Sequence, residues 1–210
     1  YLRERIVDGQ LSPGIPINPE EISRELGVSK TPVREALHLL ESEGLVKNIP
    51  GKVSIVSPIS SKDIRDIFEV REIIECGAAR RAAVLLDKSG LISKREEIIS
   101  LSLSEFDKTE EKNQVRFWKD IHLSIVSSLE NKKLLDFYLE LSEQISRIRA
   151  VIGKQFTRRR FDELISEHVN ILDAIIDGDS DKADQMVRLH LNKACTYTMD
   201  VMLNKVRIIS

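Results

Sequence analysis

Three of the four histidines in this 210-residue chain stand on the apolar faces of three separate helical patterns. Over 158–177 the stripe Phe161, Leu164, Ile165, Leu172, Ile175 and Ile176 carries His168. Over 180–206, Ala183, Met186, Val187, Leu191, Ala194 and Val201 carry His190, and over 113–130, Trp118, Ile125 and Leu129 carry His122. A lone inward histidine is usually a hydrogen-bonded core residue. Three histidines from three helices can meet in one bundle, and imidazole is a common ligand for Zn, Ni and Fe. The spacing leaves two readings open: a shared metal or ligand site, and a packed core. Arg71 rides the stripe Ile64, Ile67, Phe68, Ile74 and Ala78. A buried guanidinium needs an anion, and the local candidate is Glu75, one turn on. Arg147 and Arg149 on 132–153 either join the same pocket or face solvent.

A second constellation lies near the N-terminus, from Leu26 to Leu37. Gly27 suits a left-handed turn between helices, Ser29 is an N-cap type, and Pro32 falls in the first turn of the second helix. Val33, Ala36, Leu37 and Leu40 recur at helical spacing. Lys30, Thr31 and Arg34 fall off that stripe near the helix start, the end of a recognition helix that enters the DNA major groove. Downstream, Leu45–Ile49 and Val53–Val56 alternate as two short strands around Pro50-Gly51-Lys52. Such a hairpin forms a wing, in which Gly51 permits close backbone approach and Lys52 meets a phosphate. The expectation is a winged helix-turn-helix. Arg34 and Lys30 reach guanine edges or phosphates, Ser29 and Thr31 reach phosphates or bases, and Gly51-Lys52 reach the minor groove or backbone.

The elements that position these groups divide the chain. Residues 1–57 form the winged domain, 58–60 a Ser/Pro linker, and 61–210 a helical domain. Helical patterns run over about 61–87, 91–110, 113–130, 132–153, 158–177 and 180–206, broken at Asn131, Gly153 and Asp177-Gly178-Asp179. The fold class is mainly α: a winged helix followed by an antiparallel bundle of about six helices. The run from Lys154 to Arg160 reads as a solvated helix start. Net charge is −2; residues 1–60 carry seven Lys/Arg and eight Asp/Glu, net −1. DNA binding therefore rests on where charges sit, not on bulk charge. Cys76 and Cys195 have no metal-type spacing and read as small apolar residues in a reducing compartment. The chain has no apolar run long enough to span a membrane, so the expectation is a cytoplasmic protein with no membrane partner.

Residues 3–56, through "DGQLSPG", "ELGVSKTPVREAL" and "LESEGLV", resemble the DNA-binding domain of GntR-type bacterial transcription regulators. Residues 61–205 resemble the FCD domain of the FadR-type subfamily, through "FEVREIIECGAARRAA", "EHVNILDAIIDGD" and "ADQMVRLHL". Six helices instead of seven point to the VanR-like branch. The resemblance implies a homodimeric repressor on a near-palindromic, double-stranded operator, with a small organic-acid effector that meets Arg71. It also implies one divalent metal per subunit, Zn, Ni, Fe or Mn, held by an aspartate and three histidines. The histidines match His122, His168 and His190, but the aspartate position, four residues before His122, is Trp118. Asp120 does not substitute, because a two-residue offset turns a side chain about 200° around a helix. Trp118 is then placed to stack on an effector. At a position where relatives carry a DNA-touching arginine, this chain has Glu20. The alternatives are a metal-free sensor of fatty acyl-CoA or another larger ligand, and a metal-dependent hydrolase. No general base with a clear orienting partner supports the hydrolase.

Overall fold

Local signals for helix starts and turns account for most of the N-terminal unit. The computed structural model describes residues 1–49, 53–102, 121–152 and 157–209, and these fall into two compact units, Tyr1–Ser60 and Ser61–Ser210. In the first, α1 (Leu2–Val7) is followed by β1 (Pro16–Ile17), α2 (Pro19–Leu26), α3 (Lys30–Ser42), β2 (Val46–Lys47) and β3 (Ser54–Val56). Asn18 caps α2 by accepting from the Glu20 amide at 2.9 Å, and Pro19 takes the first helical position, where its missing N–H costs nothing. Gly27 closes α2 at φ 66°, a backbone that a side chain would strain. Ser29 holds the N-cap position of α3 with an extended backbone, but its hydroxyl makes no capping bond.

The sheet has three strands in the order β1-β3-β2, all antiparallel, with Pro16 opposite Ile55 and Val46 opposite Val56. The sequence suggested only the hairpin, and β1 is an added strand. Two residues are too few for alternation to appear, and Pro16 is tolerated because β1 is an edge strand. Leu2, Ile6, Ile22, Val33, Leu37, Leu40 and Val56 close one small core. The expected wing tip, Gly51 and Lys52, lies outside the described residues.

The regular elements among the described residues of the second unit are helices: α4 (Ser61–Ala83), α5 (Ser89–Ser102), α6 (121–127), α7 (Lys132–Ile152), α8 (Arg158–Ile176) and α9 (Ser180–Ile209). Side-chain caps set the starts: Asn131 Oδ1 accepts from the Leu134 amide, Thr157 Oγ1 from Arg160, and Asp179 Oδ1 from Lys182. Gly178, at φ 82°, lets α8 stop and α9 return. The α4 helix packs along α9, and α8 packs against both as well as against α5. Ala78, Ala79, Ala82 and Ala83 are buried on α4, where small side chains let a neighbour come close. No helix among the described residues is long and apolar enough to cross a membrane.

Candidate functional site

The helical phases that bury Ile121, Ile125, Ile171, Leu172, Val187 and Leu191 also carry the three histidines inward. His122 on α6, His168 on α8 and His190 on α9 are each at most 3% exposed. Their ligand-type nitrogens all lie within 4.8 Å of one another. Each ring is fixed from behind. His168 Nδ1 is 2.7 Å from the Leu164 carbonyl, His122 Nδ1 is 2.8 Å from Glu75 Oε2, and His190 Nδ1 is 2.8 Å from Glu167 Oε2. A carbonyl or carboxylate oxygen only accepts, so each Nδ1 carries the proton and each Nε2 keeps its lone pair.

His122 Nε2 and His168 Nε2 approach to 3.1 Å. Two acceptors at that distance are satisfied by a shared cation. At a Zn–N distance of about 2.0–2.1 Å, ligand nitrogens subtending about 90–110° stand roughly 3.0–3.4 Å apart. The His122–His168 pair therefore has the spacing of two ligands on one divalent metal, and His190, within 4.8 Å, supplies a third neutral imidazole. Among the described residues no carboxylate joins the cluster. Trp118, at the position of the family aspartate, lies outside the described residues.

Glu75 organises the wall behind His122. Arg71 Nε donates to its Oε1 at 2.7 Å and Tyr138 Oη to the same oxygen at 2.9 Å, while His122 donates to Oε2. One carboxylate thus ties α4, α6 and α7. Burial alone would raise the Glu75 pKa, but Arg71 and then His122 hold the carboxyl below the usual carboxylate range. On the opposite wall Glu167 accepts from His190, from Arg160 Nη1 at 3.0 Å and from Lys193 at 3.3 Å. Burial opposes its ionisation, and His190 and Arg160 overrule it, leaving a pKa of about 2. Burial pushes all three histidines down, His122 to about 4.

Beside the triad opens a cavity of about 60 Å³, with Phe68, Arg71, Arg149, Arg160, His168 and His190 in its wall. Arg71 stands where the sequence placed it, 2% exposed, with Glu75 as its anion. Arg149 joins the cavity and Arg147 is buried as well, so the solvent-facing alternative for them fails. Arg160 is a second correction. It is 7% exposed although the basic run read as solvated, while Arg158 and Arg159 stay outside on Asp162 and Glu163. The signal was in the chain: Arg160, Leu164 and His168 are spaced four apart on one face.

In the N-terminal unit Lys30, Thr31 and Arg34 are exposed at the start of α3, and His38 is exposed further along. Lys30 Nζ pairs with Glu20.

Residues 1–56 match the family described as bacterial regulatory proteins, gntR family, and residues 66–193 match the FCD domain. The chain belongs to the GntR family, in its FCD-bearing form. A curated relative, the HTH-type transcriptional repressor RspR of Escherichia coli (strain K12), is 26% identical over 196 residues, covering 91% of this chain and 83% of RspR. The solved structure of E. coli McbR/YncC superposes with a TM-score of 0.78 at 19% identity, over 95% of this chain and 93% of that one. The Zn2+-bound FCD domain of TM0439 superposes with a TM-score of 0.53 at 19% identity, over 70% of this chain and 98% of that one. The family and its relatives are DNA-binding transcription regulators, not enzymes.

The buried titratable groups of this GntR regulator make stability depend on pH in one direction. Glu75 and Glu167 are depressed, so they stabilise above the ordinary carboxylate range and lose that contribution as pH falls through it. His122 is neutral in the fold down to about 4, while the unfolded chain protonates it near 6.5. Above 6.5 both states are neutral and it has no effect; as pH falls from 6.5 toward 4 only the unfolded chain takes up the proton, so stability drops. Calorimetry on chelator-treated protein is expected to show Tm falling steadily from pH 7 to pH 4. A Tm that is flat from pH 7 to 5 contradicts a neutral buried histidine cluster.

Proposed function

We propose that this protein is a ligand-responsive transcription repressor that binds a near-palindromic operator as a homodimer. A divalent metal sits on His122, His168 and His190, and a small organic acid sits in the adjoining cavity. The observation that carries the metal and effector reading is the convergence of three deprotonated Nε2 atoms beside a cavity lined by Arg149. Three neutral ligands leave coordination positions for water or an effector carboxylate. The metal supplies a positive charge and a coordination point; Arg71, Arg149 and the apolar wall orient what binds there. Transfer from the zinc-bound FCD relative supports this reading, as does the repressor RspR among the curated relatives. The protein works in the cytoplasm, where its operator is.

On the DNA side, Arg34 reads a guanine edge, and Lys30, Thr31 and Ser29 meet phosphates or bases, with Gly51-Lys52 at the minor groove or backbone. The Ser29 hydroxyl, which makes no capping bond, suits a phosphate. Glu20 already holds Lys30, so a phosphate must displace that carboxylate. Lys30 therefore contributes less to affinity than Arg34. Arg34→Ala is expected to weaken operator binding by about 5–100-fold, roughly 1–3 kcal/mol, and to relax the base preference at one position of each half-site. Fluorescence anisotropy with the protein's own promoter DNA checks it. Unchanged affinity removes Arg34 from the reading set, and no salt-dependent binding by wild type removes the operator-binding reading.

A further inference from the structure

We propose that the effector is an amphipathic organic acid with a second, uncharged oxygen acceptor, and that Arg160 is the residue that recognises that oxygen. The proposal rests on the effector reading above and narrows the class of acid.

The first observation is the charge count around the cavity. Three guanidinium groups, Arg71, Arg149 and Arg160, face two buried carboxylates, Glu75 and Glu167. Arg71 is compensated by Glu75, and Arg160 Nη1 by Glu167 with help from Glu163. Arg149 has no hydrogen-bonding or ion-pair partner among the described residues. It is left as the one uncompensated cation among the described residues of the wall, so a single ligand carboxylate balances it.

The second observation is an orphaned donor. Arg160 Nε is buried and has no hydrogen-bond partner among the described residues, although the residue belongs to the cavity wall. The Tyr197 ring lies under the guanidinium, 5.6 Å from centroid to Cζ. With its Nη1 engaged by Glu167, the group is held from two sides. A buried donor left unmade is costly, and a native structure supplies an acceptor for it. Arg160 already pairs with Glu167 and Glu163, and the other cations on those carboxylates, Lys193 and Arg159, are solvated, so the missing partner is an acceptor and not an anion: a carbonyl or hydroxyl oxygen.

The third observation is the remaining wall. Ile67, Phe68, Ile145, Ile148, Leu164 and Ala194 make most of it apolar, with the Thr198 and Tyr197 side chains adding two hydroxyl groups. A ligand body lying on the apolar residues gains by being aliphatic or aromatic. A polyhydroxy or tricarboxylic acid would bury polar groups against this apolar part of the wall, at a cost an aliphatic or aromatic body avoids.

The test is calorimetric titration of the full chain, as purified, with straight-chain carboxylates of five to eight carbons. Each is paired with the same acid bearing a keto group on its penultimate carbon, and citrate is the polar comparison. At one or two chain lengths the keto acid is expected to bind at least about tenfold tighter than its parent, as a hydrogen bond to a charged donor warrants. Arg160→Lys keeps a cation beside Glu167 but has a methylene where Nε stood. It is expected to bring the two affinities together while the parent acid changes by less than about twofold. Arg149→Met is expected to weaken parent and keto acid by the same factor, which separates the two arginines even where one variant folds poorly. Equal binding of keto and parent acids by wild type at every length overturns the proposal, as does a keto preference that survives in Arg160→Lys. Failure of every acid, citrate included, removes the small-acid reading and this proposal with it. Binding of citrate alone overturns the amphipathic class and leaves the small-acid reading standing.

Discussion

Glu75→Ala is expected to destabilise the C-terminal unit by about 3–5 kcal/mol, the cost of removing one partner from a buried ion pair. The carboxylate is 3% exposed and receives three donors from three helices: Arg71 from α4, His122 from α6 and Tyr138 from α7. Alanine leaves Arg71, itself 2% exposed, as a buried cation without its anion. It also leaves the Tyr138 hydroxyl and His122 Nδ1 without an acceptor. Chemical denaturation followed by circular dichroism measures the loss. The diagnostic comparison is a double variant, Arg71→Met with Glu75→Leu. Replacing both charges by apolar groups removes the unpaired cation, so the double variant is expected to be far more stable than Glu75→Ala alone. A loss below about 1 kcal/mol in Glu75→Ala would show that Arg71 finds another anion, and Glu75 would then not be the hub of the wall. The same substitution frees the His122 ring to turn, so metal affinity is expected to fall by about 10–100-fold, the usual cost of losing a partner that orients a ligand.

Glu75 also marks the boundary of what periodicity can reveal. Its place four residues after Arg71 identified it as that arginine's local anion. Nothing in the spacing announced that Tyr138 and His122, 63 and 47 positions away, would reach the same carboxylate, because that depends on how α6 and α7 settle on α4. The histidines were legible for the opposite reason. Each lies on a stripe of apolar residues, and the stripe fixes its direction without knowledge of the partner helix. Arg160 shows how composition can mask periodicity. In a run of three arginines the eye sees a charged surface, yet the helix turns by about 100° per residue. The third arginine therefore joins Leu164 and His168 on the inward face while its neighbours point to Asp162 and Glu163. In the N-terminal unit the turn at Gly27 is local chemistry and was readable as such. The β1 strand was not, since its two residues are extended only because β3 pairs with them.

A divalent metal is expected to co-purify at about one per chain when no chelator is used, and His168→Ala is expected to lose it. His168 is the suitable probe because it contributes Nε2 to the cluster while its Nδ1 is spent on the Leu164 carbonyl within α8. Its removal therefore takes a ligand and leaves the Glu75 and Glu167 networks in place. Truncating a buried imidazole also opens a cavity and lowers stability on its own. The informative quantity is then not the Tm of the variant but the increment in Tm on adding metal. For wild type, free metal at about 100 times its Kd stabilises by about 2.7 kcal/mol, and at about 1,000 times by about 4.1; for His168→Ala the increment is expected to vanish. Elemental analysis and calorimetry on the two proteins give both numbers. A wild type that carries no Zn, Ni, Fe or Mn and gains nothing from their addition would sink the metal reading. The 3.1 Å contact between His122 and His168 would then have to be an ordinary N–H···N hydrogen bond, with one ring either protonated on both nitrogens or in the other tautomer, and in the second case Leu164 or Glu75 would lose the proton it now accepts. Effector searches would move accordingly, from carboxylates that can ligate a metal to acids held by Arg149 alone.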